Sequence, residues 1–171
     1  MHNIATSEGT NQAEDDLFLH YHHHRRLWKS SDGEDAVQTR VLVVDDDNEL
    51  TDLLRIVLEP KGFEVLTSSS GLEGIEMAHQ LRPDVIVLDL LLPGVDGWQV
   101  CREIRSFSAV PILVLSANSK PGMVTIALNE GADDYLLKPT PTNVLVAHLR
   151  KLTRRSRAEQ QGKQKKLDYC V

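Results

Sequence analysis

The chain changes character near residue 40. Beyond it, short apolar runs alternate with segments whose apolar residues recur at helical spacing. Val41-Leu-Val-Val is a continuous apolar run of strand length that ends in Asp45, Asp46 and Asp47. Between Asn48 and Lys61, Leu50, Leu53, Leu54, Val57 and Leu58 fall on one helical face. Asp47 or Asn48 caps that helix, and Pro60 with Gly62 stops it. The same alternation predicts strands over 63–67, 85–88, 111–115 and 135–137. It predicts helices over 71–80, 97–106, 121–129 and from 141 to about 157. Five strand–helix pairs with short links predict an α/β fold, a parallel sheet covered by helices on both faces. Val85-Ile-Val-Leu and Ile112-Leu-Val-Leu are apolar without alternation, as strands buried on both faces must be. Right-handed crossovers and a doubly wound order 2-1-3-4-5 then set the ends of the first and third strands side by side at the switch point.

The ends of the chain read differently. Residues 1–39 have few aliphatics and no sustained period, which predicts a disordered or loosely structured extension. It carries the patch His20-Tyr-His-His-His-Arg-Arg, a floppy polar stretch or an imidazole metal site. The domain proper spans 40–157. Residues 158–171 read as a basic linker, and Leu167-Asp-Tyr-Cys-Val as a frayed end or the first strand of a missing domain.

Composition narrows the classes. A formal charge of −6 over 171 residues does not favour direct nucleic-acid binding. Two cysteines, Cys101 and Cys170, lack metal-ligand spacing and form no disulfide framework. No apolar run approaches the ~20 residues of a membrane span, and no secretory start is present. The expectation is a cytoplasmic protein without membrane contact.

The chemistry concentrates at strand ends. Asp89 closes the third strand, in Pro83-Asp-Val-Ile-Val-Leu-Asp-Leu-Leu-Leu-Pro-Gly. The fold brings it to Asp45 and Asp46. Clustered carboxylates need a trapped proton or a hard cation, and an oxygen-only set without His or Cys suits Mg²⁺. Ser116 ends the fourth strand and Lys138 the fifth, adding a hydroxyl and a cation on the same edge. Such a set suits a transferable phosphoryl group, with Asp89 as nucleophile. Asp47 reads as a helix cap, Asp96 and Asp133 as turn residues, and His148 and His79 as helix-surface residues.

The segments Val41-Leu-Val-Val-Asp-Asp-Asp, Val85-Ile-Val-Leu-Asp-Leu-Leu-Leu-Pro-Gly-Val-Asp-Gly, Pro111-Ile-Leu-Val-Leu-Ser-Ala and Gly131-Ala-Asp-Asp-Tyr-Leu-Leu-Lys-Pro together resemble the receiver domain of two-component response regulators. The resemblance covers about residues 40–155. It implies a flavodoxin-like receiver fold and a phosphoacceptor Asp89 that takes a phosphoryl group from a histidine kinase. It implies Mg²⁺ bound by Asp46, by Asp45 mostly through water, by Asp89 and by the backbone carbonyl of Leu91. Ser116 and Lys138 become the family's hydroxyl and lysine, Tyr135 its aromatic switch, and Lys138-Pro139 a cis peptide. The wording is closest to the subfamily with winged-helix output domains, whose receivers form homodimers through the fourth helix, fifth strand and fifth helix. That face departs from the pattern at Val124, Val144 and His148, and Thr140 replaces the usual Phe. Glu130, Asp134, Lys151 and Arg155 keep part of its charge.

Three readings compete with a receiver that controls transcription. One is a stand-alone receiver in a phosphorelay or docking role, and another is a receiver that never phosphorylates. The third is a haloacid-dehalogenase-like phosphatase built on the Asp-x-Asp of Asp45-Asp46-Asp47. It would place the nucleophile on the first strand.

Overall fold

The computed structural model describes residues 27–29 and 35–168, with side chains from 38 to 158. Two short strands come first, β1 (Leu27–Lys29) and β2 (Asp35–Val37), paired antiparallel. They fall where the sequence shows no period and is read as loosely structured. The His20–His24 patch and Cys170 lie outside the described residues.

The main sheet has five parallel strands in the order β4-β3-β5-β6-β7. These are β3 (Thr39–Val44), β4 (Phe63–Ser68), β5 (Val85–Leu88), β6 (Ile112–Ser116) and β7 (Asp134–Leu137). Counted within this sheet, the order is the expected 2-1-3-4-5. The helices are α1 (Asn48–Leu58), α2 (Gly71–Leu81), α3 (Gly97–Phe107), α4 (Met123–Asn129) and α5 (Thr142–Asp168), and a 3₁₀ turn, Glu59–Lys61, follows α1. Asp47 caps α1 through its carboxylate, which accepts from the Leu50 N–H at 3.0 Å. Asp96, expected in a turn, does the same for α3 through the Trp98 N–H at 3.2 Å.

Two apolar layers sandwich the sheet. Alternate side chains of β3 and β5 enter opposite layers, so Leu42, Val44, Ile86 and Leu88 join α2 and α3, while Val41, Val43, Val85 and Val87 join α1 and α5. This double burial is why the strands read as unbroken apolar runs. In β3, β5 and β6 it also leaves polar residues only at the strand ends.

Helix α5 departs most from expectation. The segment read as a linker from 158 is helical through Asp168. Glu, Gln, Lys and Arg are good helix formers even without an apolar stripe, and the single Gly162 costs only about 1 kcal/mol. The tail Leu167–Val171 falls partly in this helix, and residues 169–171 lie outside the described residues.

Candidate phosphoryl-acceptor site

The sheet reverses its winding between β3 and β5, and the residues just past these two strands are Asp45 and Asp89. Their backbones continue the ladder: the Asp89 N–H donates to the Val44 carbonyl at 2.9 Å and the Asp45 N–H to the Ser68 carbonyl at 3.0 Å. The Lys138 N–H donates to the Ser116 carbonyl at 3.0 Å, which fixes the residue after β7 against the end of β6. Lys138-Pro139 is a cis peptide.

Side chains from three strand ends then meet. Lys138 Nζ donates to Asp45 Oδ2 at 2.6 Å and to Asp89 Oδ2 at 2.7 Å. The second oxygen of each acid is held locally. The Asp47 N–H donates to Asp45 Oδ1 and the Leu91 N–H to Asp89 Oδ1, both at 3.1 Å. Asp45 and Asp89 are 2% and 6% exposed, whereas Asp46 is exposed. Burial pushes the Asp45 carboxyl above its ordinary value, against the Lys138 and Asp47 hydrogen bonds that lower it. Burial alone would lower the Lys138 ammonium, but its bonds to Asp45 and Asp89 outweigh that and raise it.

One ammonium faces three carboxylates. Oxygens of Asp45, Asp46 and Asp89 lie within 4.8 Å of one another, a spacing that a divalent cation can span. All three donors are hard carboxylate oxygens, two of them buried beside a single lysine. The set fits Mg²⁺ and matches a receiver-domain Mg²⁺ site.

Ser116 is fully buried at the end of β6. In the register, Ser116 pairs with Leu137 and Val114 with Tyr135, so Ser116 and Tyr135 share a sheet face. Tyr135 is half-buried against the layer of α2 and α3, and its hydroxyl donates to the Asn118 carbonyl at 2.5 Å. Burial raises the Tyr135 phenol, with Ser116 acting the other way.

Sequence reasoning missed two arrangements at the opposite end of β6 and β7 from this site. His148, expected on the helix surface, is half-buried, and its Nδ1 lies 2.8 Å from Asp134 Oδ2, which also accepts from Lys151 Nζ at 3.3 Å. Asp133, expected in a turn, accepts from the Ile112 N–H at 2.9 Å and pairs with Arg105. His148 and Lys151, three apart on α5, were the signal for the first. For the second, nothing local in the sequence links positions 28 apart.

Residues 41–150 match the family model described as the response regulator receiver domain, and the chain belongs to that family. It is 43% identical over 122 residues to the DNA-binding response regulator MtrA of Mycobacterium tuberculosis, which covers 71% of this chain and 54% of that one. It is 44% identical over 120 residues to the transcriptional regulatory protein CseB of Streptomyces coelicolor, which covers 70% of this chain and 51% of that one. The chain thus spans about half the length of the curated relatives it matches. Among solved structures, the BeF3-activated N-terminal receiver domain of Klebsiella pneumoniae RstA aligns at 34% identity with a TM-score of 0.66, over 68% of this chain and 99% of that one. The receiver domain of a Luxo repressor protein from Vibrio parahaemolyticus aligns with a TM-score of 0.69 at 23% identity, covering 72% and 96% of the two chains, and bears on the fold alone.

The fold is therefore the flavodoxin-like receiver fold, and the acidic cluster is of the phospho-aspartate and Mg²⁺ type. A receiver catalyses only its own phosphorylation and dephosphorylation, which sets the phosphatase reading aside. The family implies a cognate histidine kinase. Among the described residues, no helix is long and apolar enough to cross a membrane.

Proposed function

We propose that Asp89 is the phosphoacceptor and that this domain switches a cytoplasmic transcription regulator on receipt of a phosphoryl group from a histidine kinase. The observation that carries this is the Lys138 ammonium shared between Asp45 and Asp89. A carboxylate oxygen of Asp89 attacks the phosphorus of a phosphohistidine. The P–N bond breaks, and the imidazole leaves with the electron pair and takes up a proton. As the Asp89 oxygen enters the acyl-phosphate bond, the Lys138 ammonium holds a phosphoryl oxygen, and the Ser116 hydroxyl donates to another. Bound through Asp45, Asp46, Asp89 and the Leu91 carbonyl, Mg²⁺ would neutralise the charge that develops on the phosphoryl oxygens.

The readout runs along the shared face of Ser116 and Tyr135. When the hydroxyl moves toward the phosphoryl group it vacates space that the Tyr135 ring fills. That change reaches α4, β7 and α5, where Val124, Ile126, Leu128 and Leu137 are exposed. Their apolar surface supports homodimer formation through this face. Glu130 and Asp134 pair within the chain, with Arg102 at 2.6 Å and with Lys151 at 3.3 Å, so these pairs exchange partners when two copies meet.

The test is phosphorylation by acetyl phosphate with Mg²⁺. The parent protein should gain an alkali-labile label and the Asp89→Asn protein none. A stoichiometric label on the Asn variant would overturn the assignment. Sizing with beryllofluoride should show dimer in the parent alone.

A further inference from the structure

We infer that a groove between the start of β3 and α5 binds the phosphate group of a small molecule. It has a volume of about 410 Å³ and is lined by Thr39, Arg150, Thr153, Arg154, Arg157 and Ala158. That size falls in the range of small-ligand pockets. Thr39 opens β3 and Asp45 follows the strand's last residue, so the groove sits at the opposite end of the strand, roughly 20 Å from the acidic site. The inference does not rest on the phosphoacceptor reading.

Charge and hydrogen bonding point to the ligand. Arg150, Arg154 and Arg157 follow at i, i+4 and i+7, one side of the helix. Arg157 Nη2 donates to Thr39 Oγ1 at 3.1 Å and lies 4.0 Å from Asp84 Oδ1. Arg150 Nη2 donates to the Lys61 carbonyl at 3.3 Å. These contacts pin the outer guanidinium groups and leave most of their N–H donors over. Arg154, between them, has no hydrogen bond or ion pair among the described residues. Asp84 offsets part of this charge from a fixed position, with Oδ1 facing Arg157 and Oδ2 accepting from the Arg40 backbone N–H at 2.8 Å.

Among the described residues, three guanidinium groups against one carboxylate leave two positive charges. A phosphomonoester carries about −1.5 to −2 at pH 7 and a lone carboxylate half that, so phosphate is the matching anion. Guanidinium forks fit its oxygens in pairs. The Thr39 hydroxyl accepts from Arg157 and keeps its own proton to donate. The Thr153 hydroxyl donates down to the Leu149 carbonyl at 2.9 Å and closes the floor.

The experiment titrates the full chain with inorganic pyrophosphate in Mg²⁺-free buffer at fixed ionic strength, by calorimetry and thermal melting. Saturation should raise Tm by roughly 3 °C or more. Arg154→Glu and Arg157→Glu should each weaken binding at least tenfold. Arg155→Glu makes the same charge change on the same helix outside the groove and should leave binding within twofold. Citrate should bind at least tenfold more weakly. Equal losses in the Arg154 and Arg155 variants, or a citrate response matching pyrophosphate, would overturn the site. A short DNA duplex that binds more tightly than pyrophosphate and depends on Arg155 would overturn the small-molecule reading.

Discussion

Gly97 rests on the backbone of Asp89. A Cβ placed on it would fall 2.7 Å from the Asp89 carbonyl oxygen and 2.5 Å from Leu90 Cα, and the Gly97 N–H donates to the Leu90 carbonyl at 3.3 Å. The first residue of α3 therefore backs Asp89 directly. Gly97→Ala must push that backbone aside, with an expected loss of about 1–3 kcal/mol in urea unfolding. The rate of phosphorylation by acetyl phosphate should fall with it. Unchanged stability and rate together would mean that the contact constrains nothing.

Asp46 is exposed while its neighbour Asp45 is buried and hydrogen-bonded. Asp46→Asn should weaken Mg²⁺ binding about tenfold or more by calorimetry. Its unfolding midpoint should stay within about 0.5 kcal/mol of the parent, as for other surface changes. A large loss of stability would recast Asp46 as a structural residue.

Asp134 supplies a pH signature away from the metal site. Burial alone would raise its carboxyl, but bonds from His148, the Tyr135 N–H and Lys151 outweigh it and hold the group below its ordinary value. A depressed carboxyl binds fewer protons folded than unfolded. Its stabilisation is complete above the unfolded value near 4 and is lost as pH falls through the folded value. Asp134→Asn should cost about 1 kcal/mol near neutrality. The gap between parent and variant should close as pH drops below about 4. A gap that stays constant from pH 5 down to about 2 in urea titrations would show that ionisation of Asp134 contributes nothing.

Arg105 ties the end of α3 to the entry of β7. Its Nε donates to the Gly131 carbonyl at 2.7 Å, its Nη1 to the Val110 carbonyl, and its Nη2 pairs with Asp133. Arg105→Ala should destabilise by about 1–2 kcal/mol, since the part-buried Gly131 and Val110 carbonyls lose their donor together. Arg105→Lys should recover less than half, because an ammonium cannot reproduce the fork. Full recovery by Lys would reduce the clamp to a simple charge effect.

The fold was legible where burial is doubled. The bounds expected for Val85–Leu88 match β5, since a strand covered on both faces shows as an unbroken apolar run ended by its first acid. Asp45, Asp46 and Asp89 followed from topology alone once the strand order was set. Lys138 was legible by position, although its two simultaneous bonds were not, because side-chain reach is not written in spacing. Periodicity failed where apolar contact is absent. The extension of α5 depends on helix propensity rather than a buried stripe. The β1–β2 pair is held by backbone bonds that leave little mark on hydrophobic pattern. The His148–Asp134 bond joins a helix to a strand through polar groups that pattern reading assigns to solvent.

The length of α5 has a mechanical consequence. Its first turns pack on the sheet next to β7, and the same unbroken helix runs ten residues past Ala158. At 1.5 Å per residue that is about 15 Å of rigid rod. A rotation of about 10° at the packed end moves the far end by roughly 2.6 Å. Any rotation of α5 where it packs on the sheet is therefore magnified along the helix, and the far end moves furthest.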